Sequence, residues 1–190
     1  QAELQLTPAD ATGRPAYRVR PIRQGKGLSA LPAADLGDIW FDMEGVHDAV
    51  AARKLEYLFG ACYRDEPGCS PQFKAWWAHS PLQEKKAFEG WVDWVEDRRR
   101  QFPGLRIYHY ASYEKTAMRR LAQQHSTREA VIDEWLRSGL LVDLLPVVTN
   151  AIVLGEESYS IKKVEHLYME ARSAEVTNAG DSVVAYTHWQ

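Results

Sequence analysis

Asp38-Ile39-Trp40-Phe41-Asp42-Met43-Glu44-Gly45 is the stretch whose reading decides the fold. Residues 39–43 read as a buried strand, an apolar run interrupted only by Asp42. Side chains alternate between the faces of a strand, so Asp42 and Glu44 point the same way. Two like charges that close repel, and nothing in the apolar run relieves the repulsion. A divalent cation does. Hard carboxylate oxygens on one rigid edge are what Mg²⁺ or Mn²⁺ favours.

Reading outward, residues 54–62 form a second strand and residues 73–77 a third, with a Pro67-Gly68 turn between them. Short connections between three strands predict an antiparallel meander. Ser80-Pro81-Leu82-Gln83 then opens a helix: Ser80 can cap, Pro81 suits the first position and Gln83 completes a capping box. Phe88, Trp91, Val92 and Val95 follow on one helical stripe, and the helix ends near Phe102-Pro103-Gly104. Residues 105–108 are a short β run. A second helix starts after Ser112, and a third is marked by Ser126-Thr127-Arg128-Glu129, another capping box, and stops at Gly139. Residues 140–143 read as a strand ending in an acid, and 159–168 as a helix. A meander followed by crossover units predicts an α/β domain with a mixed sheet.

The totals set bounds on function. The chain has 190 residues, enough for one domain with a real core, and 45% hydrophobic and 26% charged residues, as in ordinary globular proteins. No apolar run approaches the roughly 20 residues of a membrane helix, so no membrane partner is expected. A net charge of −3 argues against a strongly basic body for gripping nucleic acid, although an acidic active site can mask local basic patches. Cys62 and Cys69 fit no zinc spacing. With no secretory pattern at Gln1-Ala2-Glu3, they read as reduced thiols of a cytoplasmic protein. Residues 1–37, with Thr12-Gly13-Arg14-Pro15 and Gln24-Gly25-Lys26-Gly27, read as a linker or extension, and 38–190 as the domain.

Two further acids stand where a metal site can use them. Glu114 lies just inside a helix start and shares a face with Ala117, Met118 and Leu121, so it turns toward the sheet; the alternative is a first-turn Glu that only complements the helix dipole. Asp143 ends a strand, where ligands of open α/β sheets collect; the alternative is a helix N-cap. Four acids around two metals suit phosphodiester hydrolysis. No Gly-x-Ser-x-Gly, phosphate loop or dinucleotide fingerprint points to another chemistry.

Trp40-Phe41-Asp42-Met43-Glu44-Gly45 resembles the first motif of the DnaQ-like (DEDD) ribonuclease H-fold exonucleases. Four further stretches are similar to the exonuclease domain of RecB-like nucleases, often found beside a superfamily 1 helicase. They are residues 55–60 (Leu-Glu-Tyr-Leu-Phe-Gly), 107–114 (Ile-Tyr-His-Tyr-Ala-Ser-Tyr-Glu), 141–144 (Leu-Val-Asp-Leu) and 157–165 (Glu-Ser-Tyr-Ser-Ile-Lys-Lys-Val-Glu). The resemblance implies a ribonuclease H-like mixed five-stranded sheet flanked by helices. It also implies a Mg²⁺- or Mn²⁺-dependent 3′-to-5′ exonuclease acting on DNA, single-stranded or at ends, with RNA open and a helicase in cis or trans. Asp42, Glu44, Glu114 and Asp143 match the metal-binding acids. Glu114 stands where many relatives have Asp and reaches one methylene further. Asp181, in Asn178-Ala179-Gly180-Asp181-Ser182, is the local candidate for the last acid, but it reads as a loop, and that acid is expected beyond Gln190 in a truncated domain. The same fold without a complete acid set implies a nucleic-acid-binding or helicase-associated module instead.

Lys162, Lys163 and His109 are the candidate nucleic-acid contacts, His109 being alternatively a general base or a structural histidine at a strand end, and His47 and Asp48 can line the substrate entrance or form an exposed loop pair. Trp76, Trp77, Trp91 and Trp94 read as packing more than base stacking. Arg98-Arg99-Arg100 reads as a cationic helix C-terminus.

Overall fold

In the computed structural model, residues 2–48, 53–169 and 179–189 are described. Along the chain run α1 (Ala2–Gln5), β1 (Tyr17–Val19), β2 (Ile39–Asp48), β3 (Arg53–Tyr63), β4 (Gln72–Trp77), α2 (Pro81–Gln101), β5 (Ile107–His109), α3 (Tyr113–His125), α4 (Glu129–Ser138), β6 (Leu141–Asp143), α5 (Leu144–Ala151), β7 (Ile152–Leu154), α6 (Ile161–Val164) and α7 (Ala179–Trp189). They form two compact units, Ala34–Val142 with Glu175–Gln190, and Gln1–Ala33 with Asp143–Ala174.

The first unit is built on a five-stranded sheet of order β4-β3-β2-β5-β6. β2, β3 and β4 are the expected antiparallel meander, and β5 joins β2 in parallel, so the sheet is mixed. Ile39, Phe41 and Met43 turn into the core and Asp42 does not, as the alternation of the strand requires. α2 covers this face: Trp91 stacks on Phe41 at 4.0 Å and meets Trp135 of α4 edge-on at 5.2 Å. Met118 and Leu121 of α3 complete the cluster. The expected packing role of Trp91 therefore holds, while Trp77 is exposed.

Helix α2 starts as its sequence dictates. Ser80 accepts from the Gln83 N–H at 3.3 Å, and Gln83 Oε1 reaches back one residue further than a capping box, to the His79 N–H at 2.7 Å. The second expected capping box does not form. Ser126 takes a left-handed conformation (φ 48°) and ends α3, Thr127 donates to Glu89 Oε1 at 2.6 Å, and α4 begins after Arg128 with no side-chain cap. Arg98 is more than a dipole-complementing cation. It is buried, donates to the Gly37 and Leu36 carbonyls at 2.9 and 3.1 Å and to the Arg64 carbonyl, and pairs with Asp65 at 3.1 Å. It thereby fixes the approach to β2.

Residues 179–189, expected as a loop around Asp181, are helix α7. Tyr186 is buried and stacks on Tyr57 of β3 at 4.0 Å, and Ser182 Oγ lies 2.6 Å from the Tyr57 hydroxyl. This packing, rather than intrinsic propensity, holds the helix.

In the second unit, β1 pairs antiparallel with β7, with Arg18 opposite Val153. The stretch read as a linker thus contributes a strand. A 3₁₀ turn over Gly27–Ala30 packs on α5, where Gly27 has φ +59° and an added Cβ would meet Ala151 Cα at 3.1 Å. α6, with the 3₁₀ turn Glu165–Leu167 that follows it, spans residues 161–167 of the helix expected over 159–168. Among the described residues no helix is long and apolar enough to cross a membrane.

Candidate functional site

Asp42 and Glu44 share one face of β2, as their spacing predicts: Asp42, between core residues Phe41 and Met43, is exposed, and Glu44 is half-buried. The pairing of β2 with β3 shifts directly after them. Glu44 is opposite Leu58 and Gly45 is opposite Glu56, which leaves Tyr57 as an extra residue. Such a bulge re-aims side chains. Here it sends the Glu56 carboxylate into the interior and turns Tyr57 toward α7.

Glu114 comes from the first turn of α3, immediately after β5, and is 4% exposed. Its inward face was legible from the helical spacing. It reaches Asp42: burial raises the Asp42 pKa, the Met43 N–H bonded to Oδ1 at 2.8 Å opposes this, and the charge of Glu114 and a hydrogen bond with it raise the pKa further. Asp42 keeps an open edge, yet the protein around its carboxylate removes enough water to set this direction. The two acids therefore share one site, in which a proton between them or a cation is favourable.

His109 stands beside this pair. Its Nδ1 is 3.3 Å from Glu114 Oε2, in ion-pair range but without hydrogen-bond geometry, and neither ring nitrogen nor Glu114 Oε2 has a hydrogen-bond partner among the described residues. The His109 side chain has 0% exposure. Its expected role as a nucleic-acid contact is therefore corrected, because a side chain with no accessible surface cannot touch a substrate strand. It faces the acid instead.

Glu56 and Glu84 are buried charges to which the sequence reading gave no role. Glu56 accepts from the Tyr113 hydroxyl at 2.7 Å and from Arg120, with Lys54 Nζ at 3.7 Å. Lys54 also donates to the Tyr113 hydroxyl. Burial first, then Glu56, pushes the Tyr113 phenol far above its ordinary pKa. Glu84 Oε1 accepts the backbone N–H of Glu56 at 2.6 Å, and Oε2 takes His125 Nε2 at 2.8 Å and Gln124 Nε2 at 3.1 Å. This network ties β3, α2 and α3 together at the helix start that carries Glu114. The partners lie far apart in sequence, so no local pattern announces them.

Among the described residues no group of three or more His, Cys, Asp or Glu is arranged to hold a metal ion. The Asp42–Glu114 pair nevertheless fits one hard divalent ion. It offers carboxylate oxygens, one of them buried and unpartnered, and Mg²⁺ is commonly held by one or two carboxylates plus waters and substrate phosphates.

The other expected residues are placed as follows. Asp143 ends β6, at the edge of the five-stranded sheet, and Oδ1 accepts the Leu145 N–H at 2.9 Å, the N-cap of α5. Lys163 pairs with Glu156 at 3.1 Å and Glu157 at 3.4 Å, and Lys162 is exposed. His47 is exposed, and the side chain of Asp48 lies outside the described residues. Cys62 and Cys69 are free thiols.

A family model of the RNase_H superfamily matches residues 39–190, and the chain belongs to that superfamily. This agrees with the mixed sheet and points to nuclease-type activity on nucleic acid, in a family that generally uses divalent metals. No curated protein and no solved structure matches the chain.

Proposed function

For this member of the RNase H superfamily, we propose metal-dependent hydrolysis of phosphodiester bonds, as a 3′-to-5′ exonuclease on DNA using two divalent ions. The observation that carries the reading is the meeting of Asp42 and Glu114, two carboxylates from separate elements whose charges act on each other.

Asp42, Glu114 and Glu44 are the residues that would hold Mg²⁺ or Mn²⁺. A bound ion supplies an acidified water and neutralises charge developing on the phosphate. The chain's own contribution is rigidity. β2 fixes Asp42 and Glu44, and α3 delivers Glu114 on a helix start braced by Tyr113 and Glu56. His109 flanks Glu114 Oε2 and excludes water from that side. Asp181 is a further ligand candidate, because it occupies the first turn of α7 and α7 packs on β2. Asp143 stays a candidate on its strand-end position, and Lys162 and Lys163 as phosphate contacts; RNA and a helicase partner remain within the reading.

A second reading has its own support. The lack of a three-acid group among the described residues favours a nucleic-acid-binding module of the same fold. Digestion of 3′-labelled single-stranded DNA with Mn²⁺ separates the two. The exonuclease reading expects activity that Asp42→Asn abolishes with the fold intact. Equal digestion by Asp42→Asn would sink the assignment, and binding without any digestion would leave the module.

A further inference from the structure

Beside the acids, on the face where α7 packs, lies a groove of about 650 Å³ that the reaction described above does not use. Its walls are Tyr57 and Leu58 of β3, Trp77 and His79 around the end of β4, and Tyr186 and Trp189 of α7. Trp77 is 52% exposed and Trp189 70% exposed. Tyr57, Trp77, His79 and Tyr186 share an orientation, and Trp189 is tilted by 35° to Trp77 and 45° to His79. Trp77 lies within 19° of the Tyr57 plane and 21° of His79, each with centroids 6.4 Å apart, and Trp189 stands 6.3 Å from Trp77. Hydrogen bonds lock this arrangement. The Tyr186 hydroxyl donates to the Ala78 carbonyl at 3.2 Å, so at 2.8 Å from His79 Nδ1 it accepts, which fixes the imidazole with its proton on Nδ1. Tyr57 is pinned by Ser182.

The groove adjoins the acids through the chain itself. Leu58 is the cross-strand partner of Glu44, the charge of Glu44 acts on the Tyr57 phenol, and Ser182 follows Asp181. A nucleotide with its phosphate at the acids therefore has its base beside these rings. A wall of near-parallel aromatic faces suits a flat π-system, whatever its hydrogen-bonding edge. An apolar protein segment would need no such coplanarity.

We propose that this groove seats a nucleobase of the strand being cleaved, stacked on Trp77 and Trp189 without selection by sequence. The proposal rests on the nuclease reading, and gives its substrate as a single strand with unpaired bases, since a base held in a duplex cannot lie on these rings.

The test is binding of a fluorescently labelled oligodeoxynucleotide, and of the same length made from abasic residues, with Ca²⁺ present and digestion of each measured separately with Mn²⁺. The wild-type chain is expected to hold the normal strand about tenfold or more tighter than the abasic one. Trp77→Ala with Trp189→Ala is expected to erase that difference, and Trp77→Phe to keep it, with circular dichroism confirming the fold. An unchanged preference in the double alanine variant, or no preference in the wild type that still digests DNA, overturns the stacking site and leaves the nuclease reading standing. A wild-type chain that neither holds nor digests either strand overturns the nuclease reading and the stacking site with it.

Discussion

Replacing Gly45 with alanine places a methyl group where Glu56 already lies. The new Cβ would stand 2.1 Å from Glu56 Oε2 and 3.0 Å from both Glu56 Cδ and Lys54 Cε, whereas ordinary contact begins at 3.4 Å. The carboxylate must retreat by roughly 1.3 Å. It is fully buried and holds Tyr113 at 2.7 Å, so that retreat breaks the bond to Tyr113 and loosens Arg120. Overpacking costs about 1–3 kcal/mol. Losing a hydrogen bond to a buried charge adds about 1–2 kcal/mol. The expected loss is about 2–5 kcal/mol, which for a chain of this size lowers Tm by roughly 4–20 °C. Tryptophan fluorescence in a urea titration reads it cleanly, because all seven tryptophans belong to the unit that contains Gly45. Glu56→Ala removes the atom that clashes, so Gly45→Ala in that background should cost almost nothing. Additivity of the two substitutions, within about 0.5 kcal/mol, refutes the reasoning.

Asp42→Asn removes a carboxylate whose pKa is raised by burial and Glu114. The folded state binds that proton more tightly than the unfolded state, so wild-type stability falls as pH rises above the ordinary value of 3.8. Melting in EDTA should therefore favour the variant increasingly from pH 3 to 7, and Mn²⁺ at 100 times its Kd should restore about 2.7 kcal/mol to the wild type alone; a pH-independent difference contradicts this. His109→Leu removes two ring nitrogens that have no hydrogen-bond partner among the described residues, and is expected to keep or raise metal-free Tm while weakening Mn²⁺ binding about 10–100-fold by calorimetry. Trp135→Ala empties a fully buried site and takes one of two donors from Glu96 Oε1, which keeps Arg99, for a loss of about 3–5 kcal/mol in the same urea titration.

Local rules carried the sequence reading a long way. Period-two alternation placed Asp42 and Glu44 on one face, Ser80-Pro81 opened α2, and the stripe of Ala117, Met118 and Leu121 turned Glu114 inward. The failures lie where distant residues override local preference. Thr127 bonds Glu89, 38 residues away, and a capping box gives way to two left-handed residues. Gly180 and Asp181 look like a loop until Tyr186 finds Tyr57. β1 finds its partner in β7 across most of the chain. The burial of Glu56 depends on a one-residue bulge and on Arg120, 64 residues downstream. Neither leaves a periodic trace.

The docking of α7 has a consequence for synthesis. Ser182 is 125 residues downstream of Tyr57, and chains leave the ribosome N-terminal end first. The meander and the Asp42–Glu114 pair can assemble while α7 is still being made, but Tyr57 has no aromatic cover until Tyr186 emerges. A nascent chain thus carries its acids before it carries Asp181 or the aromatic wall, and any activity that depends on them arises only once α7 has been made.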